Sequence, residues 1–149
     1  MRIIIQRVSQ AEVKILNQEP TSINNGYLVL LGIHQDDESE DADYLINKLV
    51  KLRLFGDEEG KMNHSITDIN GEILLISQFT LFADTKKGNR PSFIEAARPE
   101  KAIPLYDYFI ANLSKLLPQP CKTGVFGADM KINLTNDGPV TIVIDSHYK

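Results

Sequence analysis

The sequence predicts a mixed α/β (α+β) domain: one curved, barrel-like sheet packed by two main helices. Three observations predict it. Roughly eight short stretches carry strand periodicity, with apolar residues alternating or running continuously. Only two stretches carry helical periodicity. The strand signals cluster toward the two ends of the chain, so pairing must be long-range and a sheet that curves back on itself is favoured. The 149 residues suit one domain with a real core. Hydrophobic content of 42% and charged content of 24% are ordinary for a globular protein.

Taken in order, Met1 to Val8 reads as a strand buried on both faces, because Ile3, Ile4 and Ile5 are consecutive. Ala11, Val13 and Ile15 alternate with Glu12 and Lys14, giving a second strand with one wet face. Asn24-Asn25-Gly26 is a turn, and Tyr27 to Ile33 is a continuously apolar third strand. The acidic run Asp36 to Asp41 opens a helix, where carboxylates meet the positive end of its dipole. Leu45, Ile46, Leu49, Val50 and Leu52 form its apolar stripe, which ends near Arg53. Leu54-Phe55 begins a short strand, and turns follow at Asp57–Gly60 and Asn70-Gly71. Ile73 to Phe82 reads as one long strand. By period two, Gln78 and Thr80 share a face with Leu74, Ile76 and Phe82, and Ser77 lies on the other. A basic, flexible segment runs from Asp84 to Arg90. Ser92 and Glu95 have the spacing of a capping box for a short helix. Pro99 to Leu117 is the second long helix, with Tyr106, Phe109, Ile110, Leu113, Leu116 and Leu117 on its apolar face. Two strands close the chain, around Asn136-Asp137-Gly138-Pro139, which reads as a hairpin loop. Inside that loop, a Gly-Pro pair can hold two carbonyls in a fixed, unusual orientation.

Composition excludes several function classes. A net charge of -4 argues against a general nucleic-acid binder, although Lys86, Lys87, Arg90, Arg98 and Lys101 leave a local basic patch. No apolar run approaches the roughly 20 residues of a membrane span, the N-terminal apolar stretch is short for a signal peptide, and the single cysteine, Cys121, permits no internal disulfide. Together these favour the cytoplasm. His34, His64 and His147 lack metal-ligand spacing and read as surface or loop residues, so no metal or cofactor is expected. No phosphate loop, dinucleotide fingerprint or serine-hydrolase elbow is present. The informative polar residues are Ser77, Gln78 and Thr80. Embedded in an apolar strand, each either bonds to neighbouring backbone or lines a pocket.

Ser77-Gln78-Phe79-Thr80-Leu81 and Asn136-Asp137-Gly138-Pro139-Val140-Thr141 resemble the two signature motifs of the D-aminoacyl-tRNA deacylase family. The likeness extends in order to Ile5-Gln6-Arg7-Val8, Gly60-Lys61-Met62-Asn63, Arg90-Pro91-Ser92-Phe93, Tyr106-Asp107-Tyr108-Phe109 and Ala128-Asp129-Met130. The resemblance implies a cytosolic homodimer with active sites at the subunit interface. Such an enzyme hydrolyses the ester between a D-amino acid and the 3′-terminal adenosine of tRNA, and glycyl-tRNA to some extent. It implies catalytic roles for Ser77, Gln78, Phe79 and Thr80. It also implies a cis Gly138–Pro139 bond whose two carbonyls bar L-amino acids from the neighbouring subunit's site. Attack by water assisted by the tRNA 2′-hydroxyl is the implied chemistry. Phe126 and Met130 are candidates for the adenosine pocket, and Lys86, Lys87 and Arg90 for phosphate contact. Two other readings stand beside this one: a small-molecule esterase with Thr80 as nucleophile, and a non-catalytic RNA-binding dimer.

Overall fold

The computed structural model describes residues 1–148. Its frame is a six-stranded sheet built on β1, Arg2–Ile15. The first half of β1 pairs antiparallel with β3 (Gly26–Gly32), and the second half with β2 (Thr21–Ile23). Along its other edge it pairs with β8 (Met130–Asp145). Beyond β3 lie β6 (Glu72–Ser77) and β7 (Lys122–Thr123), both joined in parallel. The sheet curves until β7 returns to β2. There the Lys122 ammonium donates to the Ser22 carbonyl at 2.8 Å and pairs with Glu72 at 2.7 Å, while Glu72 accepts the Asn24 N–H at 2.8 Å. This is the nearly closed, barrel-like sheet that the periodicity predicts. A small hairpin of β4 (Arg53–Gly56) and β5 (Met62–Ser65) stands beside it.

Two helices cover the sheet. In α1, Ser39–Lys51, Glu38 and Asp41 cap each other's backbone, and Ala42, Leu45, Ile46 and Leu49 are buried. In α2, Pro99–Leu116, the buried residues are Ala102, Tyr106, Phe109 and Leu113. Leu116, expected on the apolar face, is exposed, while Leu113 is buried and Leu117 packs against the core. Pro104 sits in the first two turns, where it costs a single helical hydrogen bond.

Four elements differ from expectation. First, β1 is one strand, not two. Val8-Ser9-Gln10 contains no breaker, and register shifts against β8 absorb the change of face. Second, the strand expected over Ile73–Phe82 stops at Ser77, and Phe79–Phe82 is a 3-10 turn. The ladder with β3 ends at Leu31↔Ser77, and the chain folds back over Gly32. A Cβ on Gly32 would stand 3.0 Å from Leu81 Cβ and 3.1 Å from the Gln78 carbonyl oxygen, so the turn packs where a side chain would be. Third, the arms flanking Gly138-Pro139 are not a hairpin. Both pair with β1 as parts of β8, and the tip is an excursion: two steps on β1, from Gln6 to Val8, face five on β8, from Thr141 to Asn136. Fourth, Ser92 caps no helix. It forms an isolated bridge with Asp84, through backbone bonds of 2.8 and 2.9 Å, which closes the basic segment into a loop.

Candidate active site

A cavity of about 310 Å³ opens where β6 gives way to the 3-10 turn. Ile76, Ser77, Gln78 and Phe79 form one wall, and Phe126, Gly127, Ala128, Asp129 and Met130 form the other. Leu31, Ile33, Ala97, Ala102 and Ile132 complete an apolar lining with few polar groups, the usual character of a small-ligand site.

The break in the strand is what builds this wall. Gln78 donates its N–H to the Leu31 carbonyl at 2.8 Å, the last link to β3. Its carbonyl then accepts the Leu81 N–H at 3.2 Å, and Thr80 accepts from the Ala83 N–H at 3.1 Å. Phe79 and Thr80 therefore head a 3-10 turn, where the leading N–H groups have no acceptor within the turn. The Gln78 side-chain amide donates to the Thr80 hydroxyl. Phe126 is both wall and core: its ring packs on Tyr106 at 5.7 Å, and the Tyr106 hydroxyl donates to the Leu75 carbonyl at 3.1 Å. Burial holds the Tyr106 phenol well above its ordinary value. Cys121, behind β6, has its thiol pushed up to about 12 by burial, which makes it a packed residue and no nucleophile.

The second motif stands apart. Gly138 and Pro139 are exposed at the tip of the β8 excursion, and their peptide bond is cis. Neither lines the cavity of its own chain. The excursion is held at its base. Asn136 accepts the Val140 N–H at 3.2 Å and donates to the Thr141 hydroxyl at 3.2 Å, while Val140 is buried. Arg7 clamps the other side, donating to the Asp137 carbonyl at 3.0 Å and the Leu54 carbonyl at 2.6 Å, and facing the Asp137 carboxylate at 3.4 Å.

A family model described as D-Tyr-tRNA(Tyr) deacylase matches residues 4–145. A relative from Cytophaga hutchinsonii, named D-aminoacyl-tRNA deacylase, is 62% identical over 98% of this chain and 97% of its own length. One of the same name from Flavobacterium johnsoniae is 56% identical over the same shares. The chain belongs to the D-aminoacyl-tRNA deacylase family. Among solved structures, the c-Myc DNA Unwinding Element Binding Protein superposes with a TM-score of 0.91 at 39% identity, covering 97% of this chain and 98% of its own. A probable eukaryotic D-amino acid tRNA deacylase shares the fold with a TM-score of 0.82 at 17% identity, covering 96% and 97%.

Of the residues singled out from sequence in this family member, Ser77, Gln78, Phe79, Phe126 and Met130 line the cavity together. Thr80 stands beside it through its bond to Gln78. Lys86, Lys87 and Arg90 do not line it; they lie exposed on the loop closed by Asp84 and Ser92. Sequence reasoning gave Arg7 no separate role. Its signal is a polar pair, Gln6-Arg7, that interrupts the apolar run of Ile3 to Val8. Asp129, the charged residue of the cavity lining, was also passed over.

His34 and His147 lie in loops, as expected, but they meet: with Asp37 their ligand atoms lie within 4.8 Å of one another. Asp37, expected in a solvated helix start, is fully buried. Its carboxylate pairs with the Met1 ammonium and accepts the His34 N–H at 2.6 Å, with His147 Nε2 at 2.8 Å. Its charge is already matched, so the group serves as a clasp joining the start of β1, the chain after β8 and the approach to α1.

Proposed function

We propose that this protein hydrolyses the ester joining a D-amino acid to the 3′-terminal adenosine of tRNA, releasing the free amino acid. The observation that carries the reading is the 3-10 turn at the cavity wall, in a chain of this family. Ester hydrolysis passes through a tetrahedral oxyanion. The N–H groups of Phe79 and Thr80 head the turn beside the cavity and are the donors for it, with the Gln78 amide close by. One such donor is typically worth about 10²–10³ in rate. Phe126 and Met130 supply apolar walls suited to adenosine, and Lys86, Lys87 and Arg90 meet backbone phosphates.

The attacking group is water, assisted by the substrate's own ribose 2′-hydroxyl, with Thr80 orienting rather than attacking. In support, the Gln78 amide donates to the Thr80 hydroxyl, and among the described residues no histidine or carboxylate hydrogen-bonds that hydroxyl as a base. Thr80→Ala tests this: a fall of no more than about 10²-fold in kcat, with no acyl-enzyme trapped on the wild type, fits the proposal. A trapped acyl-threonine would replace it with a small esterase-type mechanism.

Selectivity comes from a second copy. The Gly138-Pro139 tip leaves its own cavity and projects outward, so its carbonyls serve a neighbouring subunit's site, where they exclude an L side chain. The outer edge of β8 has no strand partner among the described residues, and Leu134 and Val143 are exposed along it, which suits a homodimer. Glycyl esters, having no side chain to exclude, are accepted as well. This reading places the protein in the cytoplasm, with translation. Hydrolysis of D-aminoacyl-, glycyl- and L-aminoacyl-tRNA by the pure protein tests it: the first two are cleaved and the third is spared, whereas equal D and L rates refute it.

A further inference from the structure

Beside the cavity, two aromatic rings stand out from the surface without cover. Phe79 is 56% exposed and Phe93 37% exposed. Their rings meet edge to face, with centroids 5.0 Å apart and planes at 73°. Such a pair covers a ring edge and leaves ring faces open. Ile94, next along the chain, is 82% exposed and widens the patch. One ring belongs to the cavity wall, since Phe79 lines it; the other follows the basic loop, since Ser92 is the residue that closes that loop. Between Asp84 and Ser92 the chain carries Lys86, Lys87 and Arg90 and no acid. An apolar aromatic step thus lies between a cavity and a concentration of positive charge.

That combination has a specific use. Unpaired nucleotides are held by aromatic faces for the bases and cations for the phosphates. A ligand that only filled the cavity would not touch Phe93, and a protein partner of ordinary chemistry would not need the cations. We propose that the Phe79–Phe93 pair is a stacking platform for the unpaired nucleobase that immediately precedes the terminal adenosine of the tRNA, with the loop cations on the adjoining phosphates. This rests on the deacylase reading of the cavity. It assigns Phe93 a part in distinguishing tRNA from shorter esters.

The test compares two substrates: a D-aminoacyl-tRNA, and the same D-amino acid esterified to adenosine alone, which has no preceding base. In Phe93→Ala, the ratio of kcat/KM for the tRNA to that for the adenosyl ester falls about tenfold, the order expected for one lost stack. Phe93→Trp restores it. In parallel, 2-aminopurine placed at the penultimate position of an acceptor-stem oligonucleotide is quenched by the wild type and not by Phe93→Ala. An unchanged ratio together with unchanged quenching overturns the proposal. So does dissociation of Phe93→Ala to a smaller species by sedimentation, which would make the pair a subunit contact. If the wild type cleaves neither ester, the deacylase reading fails, and the 2-aminopurine signal then decides the platform by itself.

Discussion

Gly138 is the residue on which the geometry is most demanding. Its φ is +132°, a region that L side chains rarely adopt, and a Cβ there would lie 2.8 Å from Val140 Cγ2 and 3.1 Å from Arg7 Nη2. Gly138→Ala is therefore expected to cost about 1–3 kcal/mol in urea unfolding and to displace the tip. The D-over-L ratio of hydrolysis should fall with it; an intact ratio in a folded variant would remove the tip from selectivity. Arg7 acts on the same feature from below. Arg7→Met leaves the Asp137 and Leu54 carbonyls without their donor, at about 1–3 kcal/mol if both lose hydrogen bonding. Its selectivity should drop in parallel with Gly138→Ala, measured on the same substrate pair. Arg7→Lys should restore stability only in part, because an ammonium cannot reproduce the guanidinium fork.

At the scale of elements, the legible parts were those whose periodicity is local. Both helices, β3, and the turns at Asn24–Gly26 and Asp57–Gly60 lie where spacing and turn chemistry place them. The errors share a physical cause. Gln78 to Phe82 look like strand because the residues around them are apolar, but the strand ends at Ser77, where its neighbour β3 ends, a tertiary fact. Asn-Asp-Gly-Pro looks like a hairpin loop because those residues turn chains, yet both flanking arms find a longer partner in β1. Of the cavity-lining residues, Ser77 and Gln78 stand out as polar residues in an apolar strand, Phe79, Phe126 and Met130 come from the family likeness, and Arg7 escapes because its partners are backbone carbonyls far along the chain. Gly32→Ala tests the folded-back turn. The added methyl must push Leu81 or the Gln78 carbonyl, so hydrolysis should fall at least tenfold while α1 and α2 keep the helical circular dichroism.

Over the whole molecule, closure of the sheet depends on Glu72, which ties β6 to β2 through Asn24 and to β7 through Lys122. The Asn24 backbone N–H, then Lys122, hold its carboxyl below the ordinary glutamate value. A depressed folded value gives stability that is present above the unfolded pKa, about 4.3, and is lost as pH falls through the folded one. Glu72→Gln should therefore be less stable than wild type by about 1 kcal/mol at pH 6, with the gap closing at pH 3, read from urea midpoints. Assembly is the other property of this scale. In the proposed function, the site is complete only if one copy lends its Gly138-Pro139 tip to the other's cavity. The most direct test mixes a protein with a disabled cavity, Gln78→Ala with Thr80→Ala, and the unselective Gly138→Ala protein, and measures D- and L-aminoacyl-tRNA hydrolysis. The account predicts that hybrids regain D-selective cleavage, because the intact tip of the first serves the intact cavity of the second. Hybrids that cleave D and L esters no more selectively than Gly138→Ala alone would contradict it.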